Sequence, residues 1–179
     1  VIATPVSVVA GIGNAARHGV LIKGGDHLER IGRIDTIVLD KTGTLTVGRP
    51  ELVGIWARDD DEKELLRLAG AVEKLSEHPL ARPVVEAAEK DGALPPARAF
   101  QVWTGRGVSA EVEGRRVAVG SPKLMLELGV HTDEIALQHL QAEEARGRTA
   151  VLVAEASQVI GALFLADAPR PESYALVPE

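Results

Sequence analysis

The spacing of apolar and polar residues changes several times along the chain, and each change marks an element. Residues 1–12, VIATPVSVVAGI, are almost wholly apolar but fall short of the roughly 18 to 20 residues that span a bilayer. They read either as the cut end of a membrane helix or as a buried amphipathic helix, closed in both cases by Gly19. Residues 20–23, VLIK, read as a short strand and residues 27–32 as a helical turn or two. Thr36-Ile37-Val38-Leu39 is a continuous β-branched and apolar run, as in strands covered on both faces. Asp40 is therefore expected at the carboxyl end of a parallel strand, where open α/β sheets bind their ligands.

Beyond Pro50 the acidic group Asp59-Asp60-Asp61-Glu62 opens a helix that runs to about Leu75, its charge favoured by the helix dipole. A second helix runs from Pro79 to about Lys90. Between residues 99 and 119 the alternating runs SAEVE and RRVAVG flank a tight Glu113-Gly114 turn, the pattern of a hairpin. Ser121 is an N-cap for a short helix to Leu128, and a further helix is expected from Thr132 to about Arg146. TAVLVAE and QVIGALFLAD complete the chain as strands. The fold class is α/β. Apolar strands ending in Asp40 and Asp167 flank the middle block, about residues 53–156, so this block reads as a small α/β unit inserted between two pieces of another.

Composition narrows the function classes. With 45% hydrophobic residues in 179, the chain can bury a core, as one medium domain or one domain plus part of another. The formal net charge of −6 arises from interspersed acids and bases. There is no basic stripe for nucleic acid and no polybasic arm for anionic lipid, so no nucleic-acid partner is expected. Absence of cysteine rules out a disulfide framework or a thiolate metal site in this stretch. The only methionine is Met125, so the chain is expected to be a piece of a longer translation product.

Candidate chemistry centres on residues 40–44. A carboxylate followed by Lys41-Thr42-Gly43-Thr44 has the parts for phosphoryl transfer: a nucleophile, hydroxyl and amide donors for phosphate oxygens, and a lysine for charge balance. The carboxylate can also help hold Mg²⁺. A bare D-x-T-x-T pattern equally suits an aspartate that begins a turn, since Thr and Gly are common turn formers. Spacing alone leaves both open.

The full string DKTGTLT, residues 40–46, resembles the phosphorylation signature of P-type cation-transporting ATPases. That resemblance implies a haloacid dehalogenase-like phosphorylation domain, present in part, with an inserted α+β nucleotide-binding domain. The implied division is a membrane-helix end and first part of the phosphorylation domain in 1–50, the nucleotide-binding domain in 51–157, and the start of the returning phosphorylation domain in 158–179. It implies that Asp40 accepts the γ-phosphate of ATP, that Lys41 and Thr42 complete the catalytic set, and that Asp40 and Thr42 hold Mg²⁺. Thr42 stands where hydrolytic phosphatases of the superfamily carry an acid/base aspartate. A hydroxyl is a poor proton shuttle, so the acyl phosphate should persist long enough to drive a conformational change.

Three further stretches extend the resemblance to the heavy-metal branch. Ser76-Glu77-His78-Pro79-Leu80 is similar to its SEHPL motif, which implies that Glu77 and His78 contact the nucleotide, the histidine at the adenine end. Gly105-Arg106-Gly107-Val108 resembles its G-x-G element, with Gly105 and Gly107 letting backbone approach the nucleotide. Asp167-Ala168-Pro169-Arg170 is similar to the hinge where the chain re-enters the phosphorylation domain. One departure is Gly120-Ser121, where the branch usually shows Gly-Asn. Serine lacks the amide's second donor, so Ser121 is not counted among the expected ligands.

The implied whole is an ATP-driven exporter of a heavy-metal cation, of which this chain is a cytoplasmic portion of an integral membrane protein. Zn²⁺, Cd²⁺ or Pb²⁺ is favoured over Cu⁺ by the similarity of residues 3–25, Ser7 and Gly24-Gly25 in particular, to exporters of those ions. The ion itself would bind outside this stretch. The family's TGD and GDGxND motifs do not occur in it, so the active site is expected to be incomplete. The rivals are a soluble haloacid dehalogenase-like phosphatase, which would want an acid at position 42, and a non-catalytic nucleotide-binding module.

Overall fold

Contacts divide the chain into two units, residues 1–40 and 41–179. A computed structural model describes residues 3–176, with backbone alone at 3–5, 41–42 and 175–176.

In the first unit, helix α1 spans Ala3–Arg17 and α2 spans Gly25–Ile31. They meet where Gly11 lies against Leu28 and Gly25 against Val8. Val6 and Val9 remain exposed, so α1 is not the buried amphipathic helix that was one reading of its sequence. Nor is any helix of the described residues long and apolar enough to cross a membrane.

Both strands expected in this unit are absent. Residues 20–23 and 34–40 are irregular, and Ile37, Val38 and Leu39 are 69%, 92% and 42% exposed. The physical reason is that a strand exists only as one side of a ladder. β-branched residues favour extended backbone, but without a partner their amides and carbonyls gain nothing over water. Among the described residues no strand pairs with 36–39.

The second unit is built on one six-stranded sheet, β1 (Thr46–Ala57), β2 (Ala97–Trp103), β3 (Gly107–Val112), β4 (Arg115–Gly120), β5 (Thr149–Glu155) and β6 (Gln158–Pro169). Its order is β1-β6-β5-β4-β3-β2, antiparallel throughout. The ladder takes in residues 46–50 and 158–169, which lie on either side of the 51–157 block. Helices α3 (Glu62–Glu73) and α4 (Ala81–Ala88) cover one face, and α5 (Pro122–Glu127) and α6 (Glu134–Ala145) the other. A short α7 (Ser173–Leu176) follows β6.

Strand β6 shows why QVIGALFLAD carries so few polar residues. Leu163 and Leu165 pack with Leu68 and Val72 of α3, while Ala162 and Phe164 pack with Met125 of α5 and Leu140 of α6. Each such side chain contributes about 1.5–3 kcal/mol on full burial, less for Ala. The expected Ser121 cap and the Glu113-Gly114 turn are present, and Asp61 of the acidic group proves to cap α3. Asp61 accepts from the Glu64 amide at 3.0 Å and Ser121 from that of Leu124 at 3.4 Å. Glu113 and Gly114 both adopt positive φ, 52° and 78°, as a two-residue hairpin with right-handed strand twist needs.

Candidate functional site

Beyond Glu73 the chain leaves α3 through a tight turn, the Ser76 amide donating to the Glu73 carbonyl at 2.8 Å. The His78 amide donates to Ser76 Oγ at 3.3 Å, and the Leu80 amide donates to His78 Nδ1 at 3.2 Å. With Nδ1 accepting, the proton of the neutral ring sits on Nε2, which is left as its donor. These bonds hold an exposed histidine on a loop that Pro79 also stiffens.

Across from this loop, strands β2, β3 and β4 end around residues 103–107 and 120. Between them lies a cavity of about 660 Å³, lined by Glu77 and His78 on one side and by Gly105, Gly107, Gly120 and Ser121 on the other. The structure thus brings together all four residues expected to bind nucleotide. The volume falls within the roughly 300–1,000 Å³ usual for small-molecule sites, and apolar Val102, Val119 and Leu165 supply walls against which a flat ring can pack.

The two glycines of the G-x-G element serve different needs. Gly105 has φ 69° with open space where a side chain would stand, so backbone conformation alone selects it. At Gly107, φ is 146° and a Cβ would lie 2.2 Å from the Val119 carbonyl oxygen and 2.6 Å from Gly120 Cα. Its missing side chain lets β3 pair with β4 at Gly107–Gly120. Ser121, at the position of the Gly-Asn departure, lines the cavity while its hydroxyl caps α5.

Glu73 was not singled out from the sequence. It is half-buried in the cavity wall, where desolvation pushes its carboxyl up to about 7, partly offset by the Ser76 hydroxyl. A carboxyl poised between acid and carboxylate can donate or accept a hydrogen bond at neutral pH. The signal was available: Leu65, Ala69 and Glu73 follow at i, i+4 and i+8, which places an acid on the apolar stripe of α3.

A second cluster ties the start of β1 to the end of β6. The Asp167 carboxylate accepts from the buried Thr46 hydroxyl and from the Gly48 and Arg49 amides at 3.1 and 3.0 Å. Arg170 Nε donates to the Thr46 carbonyl at 3.0 Å and its Nη2 to that of Gly43 at 3.3 Å, while Ser173 Oγ donates to the Leu45 carbonyl at 2.7 Å. The Thr46 hydroxyl, then the Arg49 and Gly48 amides, with Arg170 nearby, hold the Asp167 carboxyl below the usual range. The end of DKTGTLT is thereby fastened to the DAPR stretch.

The remaining expected residues are not among those that line the cavity. Asp40 is the exposed last residue of the first unit. The backbone of Lys41 and Thr42 enters a π-helical turn, Lys41–Leu45, but their side chains lie outside the described residues. Among the described residues no three His, Cys, Asp or Glu side chains gather as they would around a metal ion.

Residues 34–178 match the haloacid dehalogenase-like hydrolases. The chain belongs to that family. Within the family, this haloacid dehalogenase-like chain is similar to heavy-metal P-type ATPases. It is 44% identical to a probable copper-exporting P-type ATPase V of Mycobacterium tuberculosis over 98% of this chain and 23% of that protein. It is 39% identical to a cadmium-transporting ATPase of Staphylococcus aureus, over 97% of this chain and 25% of that protein. A crystal structure of a zinc-transporting PIB-type ATPase in the E2.Pi state superposes with a TM-score of 0.77 at 37% identity, over 97% of this chain and 28% of that one. The chain spans about a quarter of the length of the curated relatives it matches. Copper, cadmium and zinc all figure in their names, so the likeness does not single out one cation.

Proposed function

We propose that this chain is the nucleotide-binding part, with the phosphate-acceptor segment, of an ATP-driven heavy-metal transporter that works through an aspartyl-phosphate. The observation that carries this reading is the single cavity shared by Glu73, Glu77, His78 and the Gly105–Gly107 turn. An adenine nucleotide fits its donor set. The adenine amino group is a donor suited to a carboxylate wall, the apolar strand residues accept the ring, and Nε2–H of His78 is free to donate to a ring nitrogen or a ribose oxygen.

In this proposal residues 46–169 form the nucleotide-binding domain, rather than 51–157 alone, because the strands entering and leaving it pair with each other from Thr46–Pro169 to Ala57–Gly161. The cluster of Thr46, Asp167 and Arg170 fixes the junction through which that domain would be carried toward Asp40. Asp40 would attack the γ-phosphorus of ATP, breaking its bond to the bridging oxygen and releasing ADP, with Lys41 offsetting charge on the phosphoryl group. Mg²⁺, when bound, would add charge neutralisation at the transferring phosphate, and Asp40 and Thr42 are the residues of this chain proposed to hold it. Thr42 argues against the phosphatase alternative, which needs a titratable acid at that position. The exported cation, for which zinc, cadmium and lead remain our preference on residues 3–25, and the membrane belong to the intact protein.

The reading is tested by titrating the labelled chain with ATP and following backbone amides by NMR. Shifts should cluster at residues 73–80 and 103–121. Shifts confined to residues 34–46 would overturn the assignment of the cavity.

A further inference from the structure

The charges around the cavity are unevenly placed, and the imbalance has a direction. The end of α3 contributes Glu73, the loop that follows it contributes Glu77, and the opposite rim contributes Arg106. Among the described lining residues Arg106 is the only lysine or arginine. A nucleoside triphosphate carries several negative charges at one end and a hydrogen-bond-donating amino group at the other, so a site with this polarity accepts it in one orientation.

Arg106 does not stand free. Its Nη1 pairs with Glu127 at the end of α5, and the two side chains are 35% and 40% exposed. The backbone of Arg106 is pinned independently: its amide donates to the Trp103 carbonyl and its carbonyl accepts from the Ser121 amide, both at 2.8 Å. The side chain can therefore swing without disturbing the turn. A half-exposed single-contact ion pair adds little stability because water screens it. A phosphate offers the guanidinium two parallel charge-assisted bonds and more charge than one carboxylate, so phosphate wins the exchange.

Building on the nucleotide reading above, we propose that Arg106 is the phosphate-binding cation of this cavity and that Glu127 holds it in a resting position from which a nucleotide's phosphates withdraw it. Glu127 then acts as an internal competitor. A ligand with phosphates displaces it, while a nucleoside leaves the ion pair intact and gains nothing from Arg106. The device makes the site selective for the phosphorylated ligand, beyond what recognition of the base provides.

Calorimetric titrations of the 179-residue chain with ATP, ADP and adenosine test this on the wild type and on Arg106→Gln, Arg106→Lys and Glu127→Gln. Arg106→Gln should weaken ATP about ten-fold and adenosine less than about two-fold, the size expected for losing a hydrogen bond to a charged group. Arg106→Lys, which keeps the charge but not the fork, should fall between wild type and Arg106→Gln for ATP. Glu127→Gln should tighten ATP a few-fold and leave adenosine unchanged. Equal weakening of ATP and adenosine in Arg106→Gln would mean that the arginine only shapes the turn. Unchanged ATP affinity there, or weaker ATP binding in Glu127→Gln, would likewise overturn the proposal while leaving the cavity a nucleotide site. Wild-type protein that bound neither ATP nor adenosine would instead remove the nucleotide reading and this inference with it.

Discussion

Two runs of similar composition meet opposite fates in this chain. Residues 159–165, VIGALFL, form the centre of β6 and are buried on both faces of the sheet, with Val159, Ala162 and Leu163 fully enclosed. Residues 36–39, TIVL, are nearly as apolar and more β-branched, yet they are irregular and Val38 is 92% exposed. The difference lies in neighbours. β6 has β5 and β1 on its two sides, so backbone hydrogen bonds and side-chain burial arrive together. Residues 36–39 have neither. The functional features divide in the same way: the cavity residues share one sheet and its helices, and Asp40 belongs to the segment that lacks a partner.

The largest effect is expected from removing the acceptor while leaving the cavity. In the intact transporter, Asp40→Asn keeps the shape of the side chain and abolishes its anionic nucleophile, so acid-stable phosphoenzyme formed from labelled ATP should fall to background. ATP affinity of the 179-residue chain should not change, since no expected contact of the cavity includes Asp40. Phosphoenzyme at the wild-type level would take Asp40 out of the mechanism.

The next largest effect should come from the sheet itself. Gly107→Val would drive a branched side chain into the Val119 carbonyl and Gly120 at a backbone φ of 146°. We expect a loss on the order of 3 kcal/mol or more in urea unfolding, from overpacking and strain acting together. Gly105→Ala, with open space but φ 69°, should cost only about 1 kcal/mol. Equal costs at the two positions would show that the distinction between packing and conformation is misplaced.

These glycines also show how far the sequence could be read. Its pattern pointed to the helices, the Ser121 cap and the Glu113-Gly114 hairpin, and its motifs, by resemblance, to the grouping of Glu77, His78, Gly105 and Gly107, because each depends on neighbours a few residues away or on a specific motif. It did not reveal that Gly107 answers to a strand-pairing contact with β4, or that Thr46 and Asp167 meet, since pairings between distant residues leave no local period. The strands expected at 20–23 and 36–39 fail for the same reason: propensity can be read locally, whereas a ladder cannot. Glu73 was legible and overlooked, an acid on the apolar stripe of α3.

Glu73 gives the comparison a pH dimension. Its folded pKa of about 7 lies above the ordinary 4.5, so the folded state binds that proton more tightly than the unfolded state does. Its contribution to stability is present below about pH 4.5 and is lost as the pH rises through 7. The carboxyls of Glu64, held by Arg67 and Arg115, and of Asp167 are shifted downward. Their contributions are lost only as the pH falls through their lowered values, a separate window. Glu73→Gln should therefore gain about 1–2 kcal/mol over wild type at pH 8 and nothing at pH 4. Thermal unfolding across that range checks it, and a difference independent of pH would show that Glu73 does not titrate between 4.5 and 7.

The smallest expected effect isolates a single ligand contact. His78 is exposed, its Nδ1 accepts from the Leu80 amide at 3.2 Å, and its ring is not part of either hydrophobic core. Replacing it should scarcely move the unfolding midpoint, unlike Gly107→Val. In His78→Gln the amide can imitate one hydrogen-bonding atom of the imidazole but not its flat ring or the fixed Nε2 donor. Loss of one such contact weakens binding by about 1 kcal/mol, roughly five-fold in ATP affinity. Adenosine should weaken by the same factor, because His78 is assigned to the base end and Arg106 to the phosphates. Calorimetry with both ligands reads this directly. A loss seen with ATP and not with adenosine would move His78 to the phosphate end and reverse the orientation of the nucleotide in the cavity.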